Sequence, residues 1–351
     1  MPQARITIAD VAARVGVSIG AVSFALNGRP GVSDETRQRI LAVAREMGWS
    51  PSQRGRSLAS ARAFAFGLVL ARPAELLGAD PFYPAFIAGA ETEMSQLGHA
   101  LLLQVPADLD GETEAYRRLA AEGRVDGVFL SDVRHDDARV RLLADLGVPA
   151  VTLDRPDIRS PFPAVSLESA SGIAAATRHL LELGHTRIAH VTGPAHFVHA
   201  IRRRDAWAAT LEAAGVPQGR VLVSDFTAAG GADATRQLLT RGDPPTAIVY
   251  GNDLMAVAGL AVAQEHGFGV PERLSVTGFD DMPLAAYVAP ALTTVRTNPF
   301  EWGQVAARTL HQLVSTGAAP DRELGSPELV IRSSTAPPRA GSRPSPKIPR
   351  Q

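Results

Sequence analysis

Apolar positions near the start of the chain recur at the spacing of short amphipathic helices. In the first run they fall at i, i+3, i+4 and i+7, at Ile8, Val11, Ala12 and Val15. Thr7 and Asp10 form a capping-box pattern at its start, and Gly16 supplies the left-handed residue that ends it. The pattern predicts a helix from about residue 8 to residue 15 with one buried face.

Two more helices are predicted after the turn at Gly16. Ser18 caps the second helix, which runs to about Leu26. Its inward residues are Ala21, Val22 and Ala25. A turn cluster follows at 27–31, and Ser33 caps a third helix. The core face of that helix is formed by Ile40, Leu41, Ala44 and Met47. Two short helices joined by a glycine turn, with a third closing the core, predict a helix-turn-helix domain.

Beyond residue 63 the pattern changes to apolar strand-like runs that alternate with helices. The runs are 64–70, 100–104, 125–130, 150–153, 187–191, 247–250 and 274–278. Helical patterns between them include 84–97, 169–183 and 254–265. This alternation is typical of parallel α/β units, and the number of strands indicates two sheets in two lobes. Ligands bind at the carboxyl ends of such strands, so the predicted site is the cleft between the lobes.

Charge divides the chain at nearly the same point. Residues 1–62 carry nine arginines against four acids, a net charge of +5, and residues 63–351 carry 26 basic and 32 acidic residues, a net charge of −6. A basic head is expected where only the head binds phosphates. A solvated basic face without a partner, or a three-helix protein-interaction module, is the alternative, and the helix-turn-helix pattern favours DNA.

Composition narrows the setting further. The chain has no cysteine, which excludes disulfides and thiolate metal sites. It has neither an apolar run of membrane-span length nor the apolar segment of a signal peptide at its start, so we expect a cytoplasmic protein without a membrane partner.

In helix-turn-helix geometry the second helix enters the major groove. Ile19, Gly20 and Phe24 lie where base edges can be reached, flanked by Ser18 and Ala21. Short polar groups suited to phosphate oxygens are Thr7, Ser23, Asn27, Ser33 and Thr36.

Residues 6–60 resemble the headpiece of the LacI (lactose repressor) family of bacterial transcriptional regulators. The matching segments are 7–12, 16–18, 21–23, 26–28, 32–33, 36–37 and 48–51. The resemblance implies that 54–59 is a hinge helix that folds on operator DNA, with Arg54 and Gly55 at its start and Leu58 wedged into the minor groove. It also implies a homodimer on palindromic double-stranded operator DNA, associated with the nucleoid in this way, and no cofactor.

The resemblance extends to about residue 335 through the segments 80–83, 184–188, 193–194, 252–253, 278–281 and 290–295. It implies a periplasmic-binding-protein-like body that binds a small-molecule effector. By position the effector contacts fall on Phe82, Tyr83, Asp154, Arg203, Phe226, Asn252 and Asp280. His196 and Arg202, in the stretch after the predicted strand at 187–191, join this set. We expect a sugar acting as inducer, and a purine-like corepressor is the alternative.

Two positions depart from common family usage. Many members carry arginine where this chain has Phe24, so an apolar or thymine-methyl contact replaces a guanine contact. Sugar-binding members often carry an effector-gripping arginine where this chain has Ile201. The operator sequence and the effector's identity therefore do not follow from the family pattern.

The predicted domains follow from these patterns. They are a headpiece at 5–50, a hinge helix and linker at 51–63, a body at 64–335 and a disordered tail at 336–351. The first lobe takes about 64–163 and 296–322, and the second takes about 164–295 and 323–335.

Competing functions find less support. His185, His190, His196 and His199 raise the possibility of a metal site, with the last two on one helix face, but no cysteine or clear carboxylate completes a ligand set. The chain has none of the common nucleophile, zinc-protease or dinucleotide motifs, so we predict no enzyme. A transporter's solute-binding protein shares the two-lobed architecture, but it needs a signal peptide and lacks a basic head.

Overall fold

A computed structural model describes residues 6–26, 29–49 and 62–339. The chain divides into two compact units, Met1–Ala63 and Phe64–Gln351, called the headpiece and the body below. Asn27, Arg54, Gly55 and Leu58 of the predicted DNA-binding set lie outside the described residues. Within the described ranges, no single helix is long and apolar enough to cross a membrane.

The described residues of the headpiece form three helices, α1 Ile8–Val15, α2 Ile19–Leu26 and α3 Asp34–Glu46. Helices α1 and α2 meet at 105°, the angle expected of a helix-turn-helix pair. The predicted capping box is confirmed, because the Thr7 amide donates to Asp10 (N–Oδ2 2.7 Å) and the Asp10 amide donates to the Thr7 hydroxyl (N–Oγ1 3.4 Å). Gly16 ends α1 with φ 75°.

A small apolar core holds the three headpiece helices together. Its fully buried residues are Val11, Ala12, Val22, Ala25, Ile40 and Ala44. Arg37 of α3 donates to the Ala25 carbonyl (Nη1–O 3.3 Å) and to the Arg29 carbonyl (Nη2–O 2.9 Å). This arginine satisfies carbonyls at and just beyond the end of α2, which lack partners within that helix.

The first lobe of the body contains a six-stranded parallel sheet in the order β11-β5-β4-β3-β1-β2. Its strands are β1 Ala65–Val69, β2 Ala100–Gln104, β3 Gly127–Leu130, β4 Ala150–Leu153, β5 Ala164–Ser166 and β11 Arg322–Glu323. Its helices are α4 Ala74–Ala79, α5 Phe82–Gln96, α6 Leu109–Ala121, α7 Ala138–Asp145 and α12 Pro299–Thr316. Helices α5 and α12 can pack closely because Gly89 has no side chain. A Cβ at that position would lie 1.9 Å from the Phe300 carbonyl oxygen.

The second lobe contains a four-stranded parallel sheet in the order β7-β6-β8-β9. Its strands are β6 Ile188–Thr192, β7 Val221–Val223, β8 Ala247–Tyr250 and β9 Ser275–Thr277. Its helices are α8 Ser169–Glu182, α9 Val198–Ala213, α10 Ala228–Thr240, α11 Asp253–Glu265 and the 3-10 turn Pro283–Ala286. An antiparallel pair, β10 Thr294–Arg296 and β12 Glu328–Val330, packs against α8.

Both large sheets are covered on two faces, so their central strands are buried throughout. The predicted strands and the two-lobed parallel α/β body are confirmed, with end shifts of up to two residues. Strands β5, β7, β10, β11 and β12 were not predicted; each has only two or three residues and no longer apolar run around it that would mark it.

Two predicted boundaries are wrong. Strand β5 pairs with β4, so the first lobe extends to Ser166 rather than ending at residue 163. The start of the predicted disordered tail is also ordered, because the Ala336 amide donates to Ser275 Oγ and its carbonyl accepts from the same hydroxyl, both at 3.0 Å. Residues 340–351 lie outside the described residues.

Candidate functional site

A cavity opens between the two lobes of the body, at the carboxyl ends of both parallel sheets. Strand ends supply Arg72 after β1, Ser131 and Asp132 after β3, Leu153 and Asp154 at β4, Phe226 after β7, Asn252 after β8 and Asp280 after β9. The other polar and aromatic residues of the lining come from four helices and from the position just before α5. They are Asp80, Phe82, Tyr83, Ser169, His199, Arg203 and Trp302. The cavity therefore has the position expected of a ligand site in a two-lobed α/β protein.

One wall of this cavity is built on an ion pair. Arg72 donates twice to Asp132 (Nε–Oδ2 2.8 Å, Nη2–Oδ1 2.9 Å), and the Tyr83 hydroxyl donates to the same carboxylate (2.9 Å). Burial by itself raises the pKa of Asp132, but the adjacent Arg72 guanidinium more than offsets it, so the pKa falls below its ordinary range. The Arg72 guanidinium also lies over the rings of Phe197 and Phe226 in the second lobe, 4.3 Å and 5.5 Å from their centroids.

Carboxylates also surround Arg203 in the lining of the cavity. Burial raises the pKa of Asp80, Asp154 and Asp280, although Arg203 opposes the rise at all three. Burial lowers the pKa of Arg203 itself. The Arg203 guanidinium stacks on Phe279 at 3.7 Å from the ring centroid and donates to the Gly251 carbonyl (Nη1–O 2.7 Å). This part of the lining thus presents several carboxyl groups with retained hydrogen-bonding capacity around one cation.

Two buried polar atoms in the cavity wall have no hydrogen-bond partner among the described residues. They are Arg203 Nε and Ser169 Oγ, and both side chains are at least nine-tenths buried. Buried polar groups are normally satisfied, because an unmet donor costs about 1–3 kcal/mol. The lining of the cavity therefore contains hydrogen-bonding capacity that the described residues do not use.

Backbone strain is concentrated around the same cavity. Four non-glycine residues in its lining have positive φ, namely Asp132 (50°), Asp154 (106°), Phe226 (69°) and Asp280 (110°). Such conformations cost on the order of 1–3 kcal/mol each and cluster at ligand sites. Phe226 is held there against Gly193, where a Cβ would lie 1.9 Å from its ring.

Seven of the predicted effector contacts line the cavity, and two do not. The seven are Phe82, Tyr83, Asp154, Arg203, Phe226, Asn252 and Asp280. Arg202 lies beside the cavity, where it pairs with Asp154 (Nη1–Oδ1 2.6 Å) and donates to the Arg155 carbonyl (2.8 Å) across the lobes. Asn252 lines the cavity, but its amide oxygen caps α11 and its amide nitrogen donates to the Phe226 carbonyl.

The structure does not bring His196 into the cavity. Helix α9 begins at Val198, so His196 precedes the helix and is exposed, and the predicted helix face shared with His199 is wrong. His199 lines the cavity instead, stacked between Phe197 and Phe226, and burial lowers its pKa to about 3. Across residues 6–26, 29–49 and 62–339, no three histidine or acidic side chains come together as a metal site.

Several lining residues were missed by the sequence interpretation. Arg72, Ser131 and Asp132 follow strands β1 and β3, so the rule that selected Asp154 and Asp280 would have found them. Ser169 and Trp302 come from the first turns of helices that begin after the chain changes lobe, and no local pattern marks them.

The two lobes are joined beside the cavity by backbone hydrogen bonds, a feature we call the clasp. The His135 amide donates to the His196 carbonyl (2.8 Å), and the Val198 amide donates to the Val133 carbonyl (2.9 Å). A buried ionic network supports the first-lobe side of the clasp. Arg139 pairs with Glu112 (Nη1–Oε1 2.7 Å) and with Asp137 (Nη2–Oδ2 2.7 Å).

The described DNA-binding candidates lie on the headpiece surface. Ile19 and Phe24 of α2 are 52% and 40% exposed, unusually high for large apolar side chains. The Phe24 ring packs beside Gly31, where an added Cβ would lie 3.2 Å from it. Gly20 and the cap residues Thr7, Ser18 and Ser33 are exposed, whereas Ala21, Ser23 and Thr36 are half-buried. Helix α2 thus presents an apolar surface with polar groups around it.

Comparison with known proteins gives matches over both units. The sequence model for bacterial regulatory proteins of the lacI family matches residues 7–52, and the model for a periplasmic binding protein-like domain matches residues 177–335. The HTH-type transcriptional regulator AglR of Rhizobium meliloti (strain 1021) is 32% identical over 340 residues, covering 95% of each chain.

Two solved structures extend the likeness to the fold. The transcriptional regulator CelR–cellobiose complex is 31% identical with a TM-score of 0.73, covering 94% of this chain and 100% of the other. The lac repressor dimer bound to operator and the anti-inducer ONPF is 27% identical with a TM-score of 0.82, covering 95% of this chain and 99% of the other.

A helix-turn-helix headpiece and a periplasmic-binding-like body with a cavity between its lobes define a transcriptional repressor with an effector-binding domain. The chain belongs to the LacI family of bacterial regulatory proteins. The predicted family and fold class are therefore confirmed. The prediction that the chain is not an enzyme is confirmed by the family, which consists of transcriptional regulators.

Proposed function

We propose that this repressor senses a sugar, which binds between the lobes and releases the protein from its operator. The observation that carries the proposal is the cavity lining, where buried carboxyl groups, an arginine and aromatic rings surround one space. Sugar hydroxyls can donate to Asp80 and Asp280 and accept from the Arg203 guanidinium. Phe82 and Trp302 offer apolar faces to a sugar ring. The cellobiose bound by CelR supports this ligand class.

A ligand bound between the lobes can affect operator binding by changing the arrangement of the lobes. Arg72 and Asp154 of the first lobe contact Phe197 and Arg202 of the second, so these contacts depend on the lobe arrangement. A ligand that binds one arrangement more tightly shifts the protein toward it. We propose that the sugar favours the arrangement with low operator affinity. Helix-turn-helix proteins read palindromic sites as dimers, so the proposed working unit is a cytoplasmic homodimer.

The proposed DNA contacts divide by chemistry. Ile19, Gly20 and Phe24 would meet base edges in the major groove, because they occupy the first turns of α2 and are exposed. Thr7, Ser18 and Ser33 would meet phosphate oxygens, which fix the register of the helix without reading sequence. The hinge contacts assigned by resemblance to Arg54, Gly55 and Leu58 belong to the same proposal and lie outside the described residues.

A two-stage experiment on the full chain tests this function. In vitro selection would first identify the operator, and fluorescence anisotropy would then follow operator affinity in the presence of sugars and nucleobases. We expect a palindromic site and at least one sugar that weakens binding. Tighter binding caused only by a nucleobase would establish the corepressor alternative. Failure to select any DNA sequence would overturn the proposed operator specificity.

A matched pair of variants connects the effect to the cavity. Arg203→Met removes the buried guanidinium from the cavity wall, whereas Arg204→Met removes a partly exposed one that pairs with Asp205 on the same helix. We expect the first variant to lose the sugar response and the second to keep it. Equal responses in the two variants would contradict the placement of the ligand against Arg203.

A further inference from the structure

The Phe24 ring lies against the loop between α2 and α3 rather than back along its own helix. A Cβ built on Gly31 in that loop would lie 3.2 Å and 3.5 Å from two ring carbons. A Cβ built on Gly20, one turn before Phe24 on the same helix face, would meet Ser18 Oγ at 3.7 Å and no atom of the ring within 4 Å. The loop therefore supports one side of a ring that remains 40% exposed.

The position of Gly31 requires glycine for two reasons. Its φ of 114° lies in a region that residues with a side chain rarely adopt. A Cβ there would also stand closer to the Phe24 ring than ordinary van der Waals contact, so the ring would have to move by a few tenths of an ångström. A side chain at residue 31 therefore displaces the ring from its present place.

The loop that carries Gly31 is fixed to both helices that flank it. The Arg29 amide donates to the Phe24 carbonyl (N–O 3.0 Å). Arg37 of α3 donates to the carbonyls of Ala25 (3.3 Å) and Arg29 (2.9 Å). Hydrogen bonds from a charged donor are about twice as strong as neutral ones, so these bonds restrict the loop. Gly31 is thus a fixed support for the ring.

The exposed part of the Phe24 ring can make only apolar contacts, because phenylalanine has no hydrogen-bonding group. The apolar group that distinguishes one base pair from another in the major groove is the thymine methyl group. Burial of one methyl group changes a binding constant about fourfold. A gap of about 0.5–1 Å already forfeits a quarter to a half of a dispersion contact, so the place of the ring decides whether a methyl group is read.

We infer that the Phe24 ring reads a thymine methyl group in each operator half-site, and that Gly31 is the positioning residue that holds the ring for this contact. The inference rests on the proposed DNA contacts and deepens them by naming the group that Phe24 recognises. Gly31 has no side chain with which to contact a base, so it acts through the ring. Substitutions at the two residues therefore alter recognition of the same base pair.

Operators in which uracil replaces thymine test the methyl contact, because uracil pairs as thymine does and lacks only the methyl group. On the selected operator, each symmetric pair of thymines is replaced in turn, and fluorescence anisotropy measures the affinity of the full chain. We expect one pair whose replacement weakens binding at least about threefold in the parent and less than about 1.5-fold in Phe24→Ala.

Equal sensitivity of the parent and Phe24→Ala at every thymine would overturn the methyl contact and leave the repressor function and its operator intact. Failure to select any operator would overturn both the inference and the proposed operator specificity.

Gly31→Ala tests the support of the ring. It should reduce the uracil effect at that pair to less than about twofold and should change it no further when Phe24 is already alanine. The matched control is Gly48→Ala, because Gly48 also has a positive φ (65°) and a Cβ there would have nothing within 4 Å. A merely structural defect weakens binding of all operators alike and leaves the uracil effect in place. A full uracil effect in Gly31→Ala would refute the positioning role.

Arg37→Met tests the same support without adding a side chain at residue 31. It removes the donors that fix the loop and should also reduce the uracil effect, whereas Arg39→Met, at an exposed position of α3, should preserve it. Loss of a phosphate contact would weaken binding of all sequences alike and is thereby distinguished. Thermal unfolding would verify that each variant is folded. Should Gly31→Ala fail to fold, a full uracil effect in Arg37→Met would overturn the support by the loop.

Discussion

The headpiece and the body are stabilised in different ways. The part of the headpiece that the structure describes combines six small or medium buried residues with helix caps whose partners lie three residues apart. The body has apolar cores on both faces of each sheet and also encloses ion pairs such as Arg139 with Glu112. Local rules therefore account for the headpiece, whereas the body depends on groups that only the complete fold brings together.

The difference matters because buried charge carries a penalty that exposed charge does not. The desolvation cost of a buried ion is offset only while its oppositely charged partner is present. We therefore expect the largest effects of single substitutions in the body and the smallest on the headpiece surface.

The largest effect is expected from Arg139→Met. This change removes a positive charge that pairs with the buried carboxylates of Glu112 and Asp137. It also removes the donor to the Ser131 and Asp132 carbonyls. The loss should be about 3–5 kcal/mol in the free energy of unfolding of the body, measured by urea titration. The control is Arg141→Met on the same helix, which breaks a highly exposed pair with Asp145 and should cost less than about 1 kcal/mol. Equal losses would show that the Arg139 network is effectively solvated.

The next effect is a dependence on pH from His190. Burial lowers the pKa of His190 to about 4, whereas in the unfolded chain it is about 6.5. The unfolded state therefore binds the extra proton first, and the stability contributed by neutral His190 is complete above pH 6.5 and lost as pH falls toward 4. Because one group takes up one proton, the difference between the two pKa values corresponds to a loss of about 3 kcal/mol in the free energy of unfolding.

His190→Asn tests this contribution, because asparagine can still donate to the Val249 carbonyl that now pairs with His190 Nδ1. Urea titrations between pH 4 and pH 8 should show a shallower decline in the variant's unfolding free energy. His199 continues to contribute in both proteins, since its pKa is lowered to about 3. Parallel curves for the variant and the parent would contradict the assignment to His190.

A smaller effect is expected from the cap of α1. Thr7→Ala removes the hydroxyl that accepts from the Asp10 amide and should destabilise the headpiece by about 1 kcal/mol. Hydrogen exchange of the amides of Ile8–Val15 in the absence of DNA measures the change. Thr7→Ser keeps the hydroxyl and serves as the control. Hydrogen exchange in the body should be the same in all three proteins. A change there would show that the stability of the body depends on the headpiece cap.

The smallest effect on stability and the clearest effect on recognition are expected from Phe24→Arg. The side chain is exposed, so the unfolding free energy should change by less than about 0.5 kcal/mol. Arginine offers two donors to guanine, which should shift base preference at one symmetric pair of operator positions. Ala13→Arg adds the same charge on the exposed face of α1 and should leave base preference unchanged. An unaltered selected sequence for Phe24→Arg would contradict its placement at the bases.

The cavity shows how far position along the chain predicts a site. Asp154, Asn252 and Asp280 were predicted because they follow strands, and parallel strand ends meet at one edge of a sheet. Arg72 and Asp132 obey the same rule, but the sequence interpretation did not apply it to the residues after β1 and β3. Asn252 was found at the right place, but its amide is already engaged by Phe226 and Met255, which no sequence pattern reveals.

Sequence patterns were enough to predict the three described headpiece helices, the alternation of strands and helices in the body and the family. Those features depend on residues a few positions apart, through periodicity, capping and turn formation. The contact of Arg72 with the other lobe and the unpartnered atoms of the cavity-lining residues Ser169 and Arg203 became apparent only in the folded structure. Burial and pairing among residues far apart in the chain cause those properties, so they exist only when both lobes are folded and in contact.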